Sequence, residues 1–336
     1  MIPFSQEWFD MLNKEVEAGN VRVAKSSDKP LKIYNYTHRA QFLEHWNEVT
    51  RKTRGLILND RNPVVIPPEK FFNLGEKFAA PVNLLSARIS EKLDGIMIII
   101  KADSDWGLII TSRGSFDNKY TEAAKKFLTD DVAYKLIPNY TYFCELCQNF
   151  PGDEAIILTQ HPEPKLVCWA IMDSNFHEII PDDTCPFPIA KELSLGEAKL
   201  YLQQKVEGIV AQDLITFERV KIKTDYFIQH HRLLSDCTKK RAWEVLSSGN
   251  KIEDLDIPDE FIKQMKQYEK ELQDEYDRYW QKIGDIEYKT SHLTDKELGL
   301  LDDYQEFKPF LFLLRKDRWQ ECLDKIWQKI KPTNVV

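Results

Sequence analysis

Glycine is scarce in this chain, at 12 of 336 residues. Neither a Walker-type loop nor Gly-x-Gly-x-x-Gly occurs, so those backbone cradles are excluded and any phosphate must be held by cationic side chains. Long apolar runs are missing as well. None reaches the roughly 18 residues needed to cross a bilayer, and the opening Met-Ile-Pro-Phe-Ser-Gln-Glu lacks the basic and apolar regions of a signal peptide. No membrane partner and a cytoplasmic setting are therefore expected. Six cysteines (144, 147, 168, 185, 237 and 322) do not make a disulfide scaffold in a chain this long. A zinc site at Cys144-Glu-Leu-Cys147 would need a second ligand pair, and the sequence offers none at suitable spacing. The two cysteines read as small strand residues flanking Glu145. Excess positive charge is absent too: the formal net charge is −8. Broad coating of nucleic acid needs many phosphate-neutralising cations, so a nucleic-acid partner would be engaged at a few defined phosphates, such as a strand end.

What is present is an ordinary charged, globular composition, with 30% charged and 43% hydrophobic residues and length enough for two cores. Ser5 can cap a helix carrying Phe4, Trp8, Leu12 and Val16 and stopped by Gly19. Strand-like runs follow at 21–24 and 31–36, then a helix from about Thr37 to Asn47. Leu56–Leu58 and Val64–Ile66 flank a turn-rich stretch and predict a hairpin, as do Ile96–Lys101 and Leu108–Thr111. A helix over 121–136 leads to the strand Thr141–Cys147, and further strands are expected at 155–159, 165–172, 206–211 and 218–223. Strands with interspersed helices and no regular βα alternation predict an antiparallel-rich α+β domain. After about residue 230 the pattern becomes helical. Met265, Tyr268, Leu272, Tyr276, Tyr279 and Ile283 form one stripe, between Pro258 and Gly284, and Trp319, Leu323, Ile326, Trp327 and Ile330 form another. These aromatics read as helix–helix core rather than a base-stacking surface. The expected division is 1–232 and a small all-helical domain, 233–336.

Chemistry concentrates in the first part. Lys92 and Asp94 are two apart in Glu91-Lys-Leu-Asp-Gly95, so an extended segment would put both on one face, and Gly95 would let the backbone approach a ligand closely. A lysine is a nucleophile only when deprotonated, which desolvation and neighbouring cations promote. Lys221 and Lys223 share one strand face and are candidates both to supply that charge and to grip a phosphate; the bland reading is a solvated edge strand. Glu145 and Glu207 each sit among apolar residues, where carboxylates are rarely found without a partner or a task. Together they suit a ribose hydroxyl and a phosphate-bound metal ion; pairing with structural cations is the bland alternative. Arg54, Lys70 and Arg113 are further candidates for phosphate or ribose contacts.

The ordered set Lys92-Leu-Asp-Gly95, Ser112-Arg-Gly-Ser115, Phe143-Cys-Glu145, Glu207-Gly208 and Lys221-Ile-Lys223 resembles the covalent nucleotidyltransferases. Arg54-Gly55, Lys70-Phe-Phe-Asn-Leu74 and Lys223-Thr-Asp225 make the resemblance that of the phage-type RNA ligases, over about residues 54–227. The resemblance implies an adenylyltransferase domain and a monomer that uses ATP and Mg²⁺ or Mn²⁺. The chain would join RNA 5′-phosphate and 3′-hydroxyl ends, as in RNA repair. Lys92 would carry AMP and Lys221 and Lys223 would hold the α-phosphate. Glu145 would bind ribose and Glu207 would act with the metal. Arg54 and Lys70 would contact the outer phosphates. Phe72, Glu91, Asp94, Gly95 and Arg113 complete the nucleotide site, with Trp169 as the adenine stacker. The family pattern has lysine where this chain has Arg113, serine where it has Ile96 and tyrosine where Phe227 stands. A DNA ligase, or a non-catalytic nucleic-acid-binding relative of the same fold, is the alternative.

Overall fold

The computed structural model describes residues 4–150, 157–159, 161–255, 257 and 259–332. The chain folds as two compact units, Met1–Ile228 and Gln229–Val336.

The first unit opens with α1 (Gln6–Glu17), whose N-terminus is capped by Ser5 accepting from the Trp8 amide. An antiparallel meander follows: β1 (Val21–Lys25), β2 (Lys32–Tyr36), β3 (Arg54–Asn59) and β4 (Asn62–Val65). Between β2 and β3 lie two short helices, α2 (His38–Phe42) and α3 (Glu48–Lys52), where a single helix was expected. Asn47, read from sequence as the end of that helix, instead caps the second one. It accepts from the Val49 and Thr50 amides while Thr50 reaches back to its own N–H.

Next come β5 (Phe72–Asn73), β6 (Arg88–Lys92), β7 (Ile96–Asp103) and β8 (Gly107–Ser112). The helix expected over 121–136 is likewise two helices, α4 (Lys119–Lys125) and α5 (Asp130–Lys135), the second capped by Thr129. Then follow β9 (Thr141–Cys147), β10 (Lys165–Met172), β11 (Glu178–Ile179), β12 (Glu192–Leu193), α6 (Leu195–Tyr201), β13 (Gly208–Gln212), β14 (Arg219–Lys223) and α7 (Asp225–Asp236). Of the strand expected at 155–159, residues 155 and 156 lie outside the described residues, and 157–159 carry no strand.

Besides the meander there are two five-stranded sheets, in the orders β11-β10-β9-β7-β8 and β12-β6-β13-β14-β5. Every pairing is antiparallel except β14 with β5. The unbroken apolar run of β7 reflects burial on both faces. Ile98 and Ile100 enter one core with Tyr142, Cys144 and Leu146, whereas Met97 and Ile99 enter another with Ile33, Ile57 and Phe143. Cys144 and Cys147, three apart on β9, go into separate apolar clusters. In the third sheet Ile89, Ile209, Ala211 and Val220 pack together under α6 with Leu193 and Ala198. That leaves the opposite face of β6, β13 and β14 for polar side chains.

The second unit, within which no described residue is in a strand, holds α8 (Lys239–Ser247), α9 (Asp259–Thr290), α10 (Asp295–Leu300), α11 (Lys308–Arg315) and α12 (Trp319–Lys329). α9 runs through Gly284 rather than stopping there, and Pro258 lies outside the described residues. Met265, Leu272 and Ile283 on the first stripe and Ile326 on the second are fully buried. Trp243 donates its indole N–H to the Trp327 carbonyl at 2.7 Å. Trp319, assigned to the second stripe, is 52% exposed at the first turn of α12.

Candidate active site

Strand register alone lays out the polar face as a grid. Gly208 pairs with Lys92 on one side and Lys223 on the other; Val210 lies between Ser90 and Lys221, and Gln212 between Arg88 and Arg219. Directly opposed residues share a face, so the three rows read Lys92–Gly208–Lys223, Ser90–Val210–Lys221 and Arg88–Gln212–Arg219. Gly208 could hold no other side chain. A Cβ built there would lie 2.0 Å from the Ile222 carbonyl oxygen, and its φ is +151°.

Glu207, immediately before this glycine, is 5% exposed and binds both flanking lysines. Its carboxylate lies 2.7 Å from Lys92 Nζ and 3.0 Å from Lys223 Nζ. Burial would raise the Glu207 carboxyl, but Lys92 and then Lys223 override it and hold it below the ordinary range. For Lys92 burial favours the neutral amine, and Glu207 followed by Glu145 overrides that, raising the lysine above its usual value. The downstream lysines, expected from their pattern to depress Lys92, do not lower it. Instead Lys92 rests as an ammonium between carboxylates, and it is Lys70 and Lys221 that burial depresses. Burial, then Lys70, Lys92, Lys223 and Arg54, push Lys221 down to about 7.

Glu145, on β9, accepts no side-chain hydrogen bond among the described residues, and burial first of all pushes its carboxyl up to about 7. Trp169 sits in β10 at a bulge, where pairing with β9 skips from Cys168 to Ala170. Bulges re-aim a side chain, and Trp169 lines one cavity with Arg54, Lys92, Glu145 and Val210. Arg54 on β3 is half-buried there, its buried Nη1 lacking any hydrogen-bond partner and its guanidinium 5.6 Å from the Phe71 ring and 6.0 Å from the Trp169 ring. Lys70 is surrounded by aromatic rings, with Nζ 4.6 Å from the Trp46 centroid, 5.1 Å from Phe72 and 5.2 Å from Tyr36. Arg113 donates to the Tyr36 hydroxyl at 3.2 Å. Burial would raise the Tyr36 phenol, but Arg113, Arg54 and Lys70 hold it below the ordinary tyrosine range.

Three residues of the Lys92 motif are placed differently from expectation. β6 ends at Lys92, so Asp94 does not share its strand face; Asp94 Oδ2 instead accepts from the Leu158 and Thr159 amides at 2.7 and 2.8 Å. Gly95 does allow a close approach, but to protein: a Cβ there would meet the Leu146 carbonyl oxygen at 2.5 Å. The carboxylate of Glu91 is held by the Lys191 amide and the Tyr201 hydroxyl, although the residue borders the cavity. Tyr36 and Trp46 belong to the cation cluster and carry no motif by which a sequence could announce them. Arg219 and Gln212 were within reach, since they continue the alternation of Lys221–Lys223 and of Val210.

Residues 52–188 match a family model described as RNA ligase. This stretch, less than half of the chain, is similar to that family. It contains Arg54, Lys70, Lys92, Arg113, Glu145 and Trp169, while Glu207, Lys221 and Lys223 lie beyond it and join the site through sheet pairing. Among solved structures, an archaeal ATP-dependent RNA ligase is similar at 12% identity and TM-score 0.46, covering 77% of this chain and 74% of that one. A Naegleria gruberi RNA ligase variant with ATP and Mn is similar at 16% identity and TM-score 0.33, over 44% of this chain and 51% of that one. Another variant from that organism, with AMP and Mn, has 14% identity and TM-score 0.34, over 68% and 83%. Similarity this distant leaves the functional reading to the family match and to the site itself. No curated protein sequence matches the chain.

Proposed function

We propose that the protein is an ATP-dependent RNA ligase that seals 5′-phosphate to 3′-hydroxyl ends through AMP carried on Lys92. One observation supports this most strongly. Beside a family-matched lysine lie three cations, Arg54, Lys70 and Lys221, none of which has a carboxylate within ion-pair distance among the described residues. All three are half-buried; leaving such charge unpaired even there is costly, and a polyphosphate is the anion that would compensate it.

Lys92, once deprotonated, attacks the α-phosphorus; the N–P bond forms as the bond to the β-phosphate oxygen breaks and pyrophosphate leaves. Lys221 and Lys223 stand on β14, across β13 from Lys92, to carry the α-phosphate charge, and Arg54 and Lys70 the outer phosphates. An RNA 5′-phosphate oxygen then takes the AMP from Lys92. A 3′-hydroxyl oxygen finally attacks the 5′-phosphorus, releasing AMP. Glu145, without a side-chain hydrogen-bond partner among the described residues, and Glu207, with two, are the carboxylates that would hold a divalent metal ion together with the phosphates; no group of three or more such ligands occurs among the described residues. Held there, the ion would neutralise the charge that keeps Lys92 protonated. No described helix is long and apolar enough to cross a membrane. A DNA ligase is the nearest alternative, and what weighs against it is the helical unit that follows β14 in place of further strands.

Transfer of label from α-labelled ATP to the protein tests this reading. Label is expected on Lys92 and none on Lys92→Ala. Retained label in that variant, or label found on another lysine, overturns the assignment.

A further inference from the structure

The lysines use the first two rows of the grid; the third row, Arg88–Gln212–Arg219, has no part in phosphate chemistry. Gln212 and Arg219 are nevertheless only 4% and 7% exposed and line the same cavity as Lys92 and Trp169. Both are fastened to one carboxylate. Glu178, on β11 of the neighbouring sheet, is held by two guanidinium nitrogens of Arg219, Nη1 at 3.0 Å and the closer Nη2, and by Gln212 Nε2 at 2.9 Å. Arg219 also donates to the Phe217 carbonyl and lies 5.5 Å from the Trp169 ring.

This arrangement decides which way the Gln212 amide faces. A carboxylate paired to a guanidinium can only accept, so the NH₂ group must turn to Glu178 and the carbonyl oxygen away from it. That oxygen accepts from no other group among the described residues. The third row lies four residues along the strands from the first, about 13 Å at 3.3–3.4 Å per residue. A nucleotide joined to Lys92 and lying along this face would therefore place its base beside Val210 and Trp169 and its far edge at Gln212.

Resting on the proposed adenylylation of Lys92, we infer that Gln212, oriented by the Glu178–Arg219 pair, determines base specificity. Its carbonyl accepts from an exocyclic amino group and faces the lone pairs of a base bearing oxygen there. Adenine is thereby preferred to a 6-oxo purine.

The experiment measures kcat/KM for lysyl-nucleotide formation with ATP and with inosine triphosphate, which differ at that position, in wild type, Gln212→Met and Gln212→Ala. Thermal melting checks that each variant folds, methionine preserving the volume. Wild type should favour ATP. In the methionine variant ATP should lose about tenfold, the worth of one hydrogen bond, through KM rather than kcat, while inosine triphosphate changes little and the preference collapses. A merely structural role would lower both nucleotides alike. Equal losses, or an unchanged ratio in a folded variant, would overturn the inference while leaving adenylylation standing. Absence of any label on wild-type Lys92 would overturn both.

Discussion

The depressed Lys221 makes nucleotide affinity depend on pH in a calculable way. A lysine that titrates near 7 must be protonated to hold a phosphate, so above that pH binding must take up a proton. With the free-state value at about 7, intrinsic affinity falls by the factor 1 + 10^(pH − 7). That is about fourfold at pH 7.5 and about 100-fold at pH 9, a net loss of about 25-fold, or about 2 kcal/mol, across the interval. The interval lies above the ordinary titration of histidine. Lys92, held up by carboxylates, should not titrate there. Calorimetric titration of a non-hydrolysable ATP analogue, in two buffers of different ionisation enthalpy, gives both affinity and proton uptake. Uptake should approach one proton toward pH 9. Lys221→Arg supplies a charge that does not titrate and should flatten the profile. Stability without nucleotide should run the other way. The folded state gives up a proton the unfolded chain keeps, so stability from this group rises with pH between about 7 and 10.5. A flat wild-type affinity profile, or an unchanged slope in Lys221→Arg, would show that Lys221 is either solvated or uninvolved.

Removing Glu207 leaves Lys92 and Lys223 unpaired. Glu207→Gln should lose about 3 kcal/mol, seen as a fall in Tm of about 6–12 °C for a unit this size, and a shift under about 2 °C would mean solvent already screens the trio. Glu145→Gln should remove a group that opposes folding as pH rises from about 4.5 to 7, because the folded carboxyl holds its proton longer. The variant should therefore lose less stability over that interval than wild type in denaturant titrations, and an identical slope would refute the burial argument. Gly208→Ala must move the β14 backbone at Ile222 and should cost about 3 kcal/mol or more while abolishing label transfer; wild-type melting would contradict the register. A fragment ending at Asp236 contains every proposed nucleotide contact and should still adenylylate Lys92 while joining RNA ends less well. A folded, inactive fragment would refute that division of labour.

Local chemistry was legible where the chain provides for its own geometry. Ser5 and the apolar spacing after it specify α1, and the turn-rich stretch 59–63 specifies a hairpin. The period-two pattern of Lys221 and Lys223 places both on one sheet face. Interpretation failed where a residue type serves two purposes. To a periodicity count Asn47 looks like a helix end and Thr129 like helix interior, yet their side chains compete for backbone amides and so start new helices. Asp94 and Gly95 were assigned to a ligand because carboxylates and glycines suit ligands, but protein backbone claims both, from Leu158–Thr159 and Leu146, positions far along the chain. Tyr36 was silent for the same reason. Its importance lies in which cations converge on its oxygen, and that is decided by packing among β2, β3, the segment before β5 and the turn after β8 that carries Arg113.

The Glu207 trio also sets the order in which the lysines meet an electrophile. Lys92, kept as an ammonium, is unreactive toward acylating or carbamylating reagents although its side chain is partly accessible. Lys221, much of it neutral at pH 7, is the amine such reagents should find first. Selective acylation followed by peptide mapping would thus mark Lys221 and spare Lys92, the proposed nucleophile.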